Sequence, residues 1–154
     1  MSCFETVGYG YSSILCEDIA SWFINKFVPR HKFYVRIVHK GLKREHSFGF
    51  CDFVDQAHRP RVFVIEVQSN LSKEMYIKTL IHEFVHLKQW LQGTLRMKSG
   101  KMYFEGESVE KYEYMDQPHE IEAYDSEERL AREFLCDTYG KKFAEFIVGE
   151  SCEE

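Results

Sequence analysis

At 154 residues, with 44% hydrophobic and 16% aromatic content, the chain is long enough to bury a core without covalent staples and too rich in aromatics for disorder. A formal charge of −5 and a pI near 5.8 argue against a nucleic-acid binder, whose usual footprint is a basic stripe. Five cysteines (Cys3, Cys16, Cys51, Cys136 and Cys152) with no CxxC spacing argue against a disulfide framework or a cysteine zinc ribbon, and buried, reduced thiols are expected.

Met1 to Tyr11 has no basic segment followed by an apolar run, and no stretch approaches the roughly 18–20 apolar residues of a membrane span. A soluble protein is expected, in the cytoplasm of a cell or of a virus-infected host, folded as one continuous domain over 1–154. In chain order, Ile14, Leu15, Ile19, Trp22, Phe23 and Phe27 recur at helical steps until Pro29 ends the segment. Lys32 to Val38 alternates Phe33, Val35 and Ile37 as a strand does. The densest basic stretch, Lys40, Lys43, Arg44 and His46 around Gly41, reads as a solvated turn between strands. Ser47 to Val54 and Arg61 to Val67 are two more strand candidates, the latter opened by Pro60.

The second half reads as mostly helical. Ser72 is a good N-cap for Lys73 to Leu91, whose apolar face carries Met75, Ile77, Leu80, Ile81, Phe84, Val85, Leu87 and Leu91, and Gly93 sits where a helix stop belongs. Leu95 to Lys98 and Lys101 to Phe104, joined at Ser99-Gly100, fit a hairpin. Pro118 suits the first turn of a helix running to about Tyr139, and after a break at Gly140 a short helix covers Lys141 to Val148. The expected class is α+β: an N-terminal helix, a small three-stranded, mostly antiparallel sheet, a long central helix and C-terminal helices.

The chemistry lies in His82-Glu83-Phe84-Val85-His86, an HExxH pattern in the middle of the central helix. Residues at i and i+4 share a helix face, so two imidazoles can meet one zinc ion there, about 2.0–2.1 Å from each nitrogen. Glu83, beside the first ligand, can take a proton from metal-activated water as a general base. A catalytic zinc normally has three protein ligands. An HExxHxxGxxH run is excluded, because Gln89 and Gln92 stand where Gly and His are needed. The third ligand is therefore sought in Pro118 to Asp125, where Glu120, Glu122 and His119 are candidates. Glu120 and Glu122, two apart, point to different sides of a helix and do not both reach the ion.

An HExxH helix followed by a downstream Glu-x-x-Ala helix (here Glu120 to Ala123) resembles the gluzincin branch of zinc metallopeptidases, including ImmA/IrrE-like, HtpX-like and small phage-encoded members. The resemblance covers His82 to His86 and Pro118 to Asp125. It implies a minimal zincin-like fold, one Zn2+ held by His82, His86 and Glu120, and Glu83 as catalytic base. It also implies that Arg61 to Val67, the strand before the active helix, borders the cleft. Several relatives carry Asp or Asn after the Ala, where this chain has Tyr124; Asp125 or Glu122 is then the expected support for a ligand histidine. Tyr103, Tyr112, Tyr114, Tyr124 and His119 are candidate oxyanion donors.

Two functions are expected to compete. One is a zinc metallopeptidase acting on a peptide or protein substrate, with no nucleic-acid or membrane partner. The other is a catalytically inactive module in which the metal staples helices and the surface binds a protein partner. Glu83 favours the first, since a structural zinc site usually closes with four protein ligands and has no use for a free carboxylate.

Overall fold

The structure is a computed structural model that describes residues 3–42 and 47–149. Lys43, Arg44 and His46 of the basic stretch, and Cys152, lie outside them. The elements are β1 (Phe4–Gly8), α1 (Ser13–Phe27), β2 (Tyr34–Lys40), β3 (Gly49–Phe53), β4 (Val62–Gln68), α2 (Lys73–Gln92), β5 (Leu95–Lys98), β6 (Lys101–Phe104), β7 (Glu107–Ser108), a 3-10 turn (Tyr114–Asp116), α3 (Pro118–Tyr139) and α4 (Lys141–Val148). The class is α+β, with four helices and two small sheets among the described residues.

The main sheet differs from the sequence expectation. It has four strands in the order β1-β2-β4-β3, and only β3–β4 is antiparallel; β1–β2 and β2–β4 are parallel. Two causes account for this. Helix α1 carries the chain across from β1 to β2, a crossover that makes those strands parallel. The most apolar strand, β4, then inserts between β2 and β3, where both its edges are paired. Strand β1 leaves little trace in the sequence because Phe4-Glu5-Thr6-Val7-Gly8 is short and only weakly patterned. Its last residue has to be glycine: Gly8 sits at φ +113°, and a Cβ there would lie 2.0 Å from the His39 carbonyl oxygen.

One face of this sheet is dry. Val35, Ile37 and His39 of β2 stand beside Phe63, Ile65 and Val67 of β4 in register, all fully buried. The five apolar ones join one cluster with Ile19 and Phe23 of α1 and with Ile77, Leu80, Ile81 and Phe84 of α2. Helix α2 is enclosed on nearly every side: from Tyr76 to Leu91 only Lys78 and Lys88 escape burial. Truncating a side chain such as Phe84 to alanine is expected to cost about 3–5 kcal/mol. The Ser72 side chain caps the helix by accepting from the Met75 N–H, and Gly93, at φ 78°, ends it. The hairpin β5–β6 pairs Leu95 with Phe104 and Met97 with Met102, and β7 extends it. Among the described residues no helix is long and apolar enough to cross a membrane. The four described cysteines are free; Cys16 is buried, while Cys136 is exposed, contrary to the expectation of uniformly buried thiols.

Candidate metal centre

Burial of α2 carries its polar residues inward with it. His82, Glu83, His86 and Gln89 are all at most 7% exposed. Facing them is the first turn of α3. Pro118 opens that helix, and Glu120 lies in the first turn, where a carboxylate is favoured by the helix dipole. Its side chain turns inward: one oxygen, Oε1, accepts from His82 Nε2 at 3.1 Å and from His86 Nε2 at 2.7 Å. Ligand atoms of His82, His86 and Glu120 all lie within 4.8 Å of one another, a buried group that can hold a metal ion. Glu122, two residues on, is exposed and bonds Gln89 instead. His119 is buried beside the group, its ring 5.5 Å from that of His86, with Nδ1 unpartnered among the described residues.

The far nitrogens of the two histidines are also held. His82 Nδ1–H donates to Glu127 Oε2 at 2.8 Å, and His86 Nδ1–H donates to Gln89 Oε1 at 2.8 Å. The support for His82 is thus Glu127, not Asp125 or Glu122. A signal for both supports was available: Glu127 is seven residues beyond Glu120 and so on the same face of α3, and Gln89 is three beyond His86 on α2.

The electrostatics follow from three carboxylates packed against two imidazoles. Burial opposes the charged form of His82, yet bonds to Glu120 and Glu127 outweigh it and lift the ring to about 9. His86 is raised in the same way by Glu120 and Glu83, against its burial. For Glu120, burial is likewise overcome, and the two imidazoles hold its carboxyl well below the usual range. Glu83 is lifted by burial to about 7, in spite of His86 and His82. Burial, with His86 next to it, lowers His119 to about 4. One carboxylate oxygen between two positive rings has the charge pattern that a divalent cation fits, the ion taking the place of the two Nε2 protons.

The group opens onto a cleft of about 750 Å³. Glu83, His86, His119 and Glu120 line it, with β3 on one side and Met97 and Met102 of the hairpin on another. The bordering strand is therefore β3, the sheet edge, and not the segment Arg61 to Val67, which lies one strand further in. Gly49 of β3 allows α2 to come this close: a Cβ there would meet the Glu66 carbonyl oxygen at 2.8 Å and Glu83 Cγ at 3.3 Å. Of the candidate oxyanion donors, Tyr114 and His119 line the cleft, Tyr124 packs its ring 4.5 Å from that of His82, and Tyr103 and Tyr112 stand outside the lining. Tyr114, about half exposed, is raised by partial desolvation and by the negative charge of Glu120.

Comparisons with protein-family models, with curated proteins and with solved structures find no match.

Glu83 Oε2 is buried and has no hydrogen-bond partner among the described residues. A buried carboxylate oxygen left unpaired in the resting fold is costly, and its neighbours are the His–His–Glu group and the cleft.

Proposed function

We propose that the chain is a zinc-dependent metallopeptidase of zincin-like, gluzincin type, with His82, His86 and Glu120 as ligands and Glu83 as general base. The observation that carries this reading is the buried, unpartnered oxygen of Glu83, a residue that lines the cleft together with His86 and Glu120. Two imidazole nitrogens and one carboxylate oxygen are a donor set of catalytic zinc, which keeps a position open, whereas structural zinc usually takes four protein ligands. When bound, the metal supplies Lewis acidity and lowers the pKa of water.

The rest of the chemistry belongs to the chain. Glu83 takes a proton from the attacking water and passes it to the leaving amine, which its lack of another partner leaves it free to do. His82 and His86 stay neutral at Nε2 toward the metal because Glu127 and Gln89 engage their Nδ1–H groups. His119 and Tyr114 line the cleft, and we assign them the donation to a polarised carbonyl there. A peptide substrate is favoured because β3 is an edge strand at the cleft wall, where an extended chain can add by backbone pairing.

The test is Glu83→Gln. Zinc content, measured by elemental analysis, is expected to stay at about one per chain, while peptide hydrolysis falls by about 10²–10⁴-fold. Hydrolysis at the wild-type rate in that variant would remove Glu83 from the reaction. A wild-type chain that holds zinc but cleaves no peptide would favour the metal-stapled interaction module.

A further inference from the structure

Gln89 stands at a junction that the proposed reaction does not use directly. It is 1% exposed and lies one turn beyond His86 on α2. Its Oε1 accepts from His86 Nδ1–H at 2.8 Å. Its Nε2 donates to the His119 carbonyl oxygen at 3.0 Å and to Glu122 Oε1 at 3.1 Å. A carboxamide has one acceptor end and one donor end. Here the donor end meets two groups that only accept. Flipping the amide would set its oxygen against a carbonyl and a carboxylate while its NH2 faced an N–H, so the orientation is fixed from both sides.

We propose that Gln89 is a positioning residue for the metal centre, one buried amide holding the His86 ring and the first turn of α3 in register with each other. This rests on reading His82, His86 and Glu120 as metal ligands. The His119 carbonyl belongs to the peptide group that leads into Glu120. Anchoring it restrains the backbone of the third ligand, while the other end of the same side chain directs His86 Nε2 toward the shared centre. Neither common substitute does both. Leucine leaves the buried His86 Nδ1–H without its acceptor and breaks the link to the first turn of α3, and glutamate keeps the acceptor but faces Glu122 with like charge. His82 has no such link, because its support, Glu127, comes from α3 directly. The amide thus ties α2 to α3 at the one ligand whose support lies on its own helix.

The experiment uses the full chain with zinc alone. Affinity is measured by competition with a chromophoric chelator, and the His86 Nδ1–H proton of the zinc-loaded protein is followed by NMR. Gln89→Leu is expected to weaken zinc binding by about 10–100-fold and to lose the slowly exchanging ring proton. Gln89→Glu should restore that proton, because its carboxylate still accepts, yet bind zinc less tightly than wild type. Glu122→Ala alters an exposed residue and tests the anchor without disturbing the core; a loss of about threefold or more is expected. A folded Gln89→Leu variant with wild-type affinity and a protected proton would overturn the assignment. Should that variant not fold, wild-type affinity in both Gln89→Glu and Glu122→Ala does the same. Failure of the wild type to bind zinc would overturn the ligand reading and this inference with it. Tight zinc binding without peptide hydrolysis would defeat the peptidase reading and leave the role of Gln89 standing.

Discussion

Two groups of buried histidine in this fold are built on opposite rules. His39, fully buried in β2, is closed by neutral partners: Nδ1–H donates to the Val7 carbonyl oxygen at 3.0 Å, Nε2 accepts from the Tyr76 hydroxyl at 2.8 Å, and the ring stacks on Tyr11 with centroids 3.5 Å apart. His82 and His86, almost as deeply buried, are surrounded by the carboxylates of Glu83, Glu120 and Glu127. Burial lowers the first ring, and carboxylates raise the other two. A histidine used for packing closes its bonds without net charge. A group left with excess negative charge and an unpaired carboxylate oxygen is costly for a fold that gives it nothing to bind.

Breaking the two groups separately should give different signatures, and the largest effect is expected at the second. His86→Ala should lose the bound zinc altogether, with hydrolysis falling to background and the zinc-dependent rise in melting temperature disappearing. Elemental analysis beside the wild type checks this, and unchanged zinc content would defeat the ligand assignment. Glu127→Gln comes next. It keeps a hydrogen-bond acceptor for His82 and removes its charge, so zinc affinity should fall by about 10–100-fold with the fold intact. A chelator competition showing wild-type affinity would leave Glu127 as a surface contact only.

How far the site could be read from the sequence depends on the range of each interaction. His82, Glu83 and His86 were legible because one helix turn brings them together whatever the rest of the fold does. Glu120 was one of three candidates as long as only α3 was considered. What sets it apart is the approach of α3 to α2, which no local pattern encodes. Glu127 and Gln89 carried helical spacing that pointed to them, but nothing local marks a supporting residue apart from an ordinary polar one. The helices and the β5–β6 hairpin appear where caps, proline and glycine place them. The sheet departs from the mostly antiparallel expectation because strand direction is set by the α1 crossover and by the burial of β4, both nonlocal. The same limit moved the cleft wall from Arg61–Val67 to β3.

The smallest expected effect belongs to His39, and its value is that it touches stability alone. His39→Gln removes a ring bonded to a buried carbonyl and a buried hydroxyl, and a cost of about 1–3 kcal/mol is expected, with zinc affinity unchanged. The pH dependence gives the sharper contrast. Burial holds the His39 pKa below its ordinary value in the folded chain, so the unfolded chain takes up a proton at this residue first as the solution is acidified. Its contribution to stability is therefore complete above about pH 6.5 and is lost as pH falls from there toward the lowered folded value. Burial also pushes the nearby Tyr76 phenol and Cys16 thiol upward, away from this range. Urea unfolding of wild type and His39→Gln between pH 7.5 and 5 should thus show the two stabilities converging on the acid side, contributions common to both chains cancelling in the difference. A constant gap across that range would mean that the His39 ring is protonated as readily inside the fold as outside it, and the neutral closure of this group would be wrong.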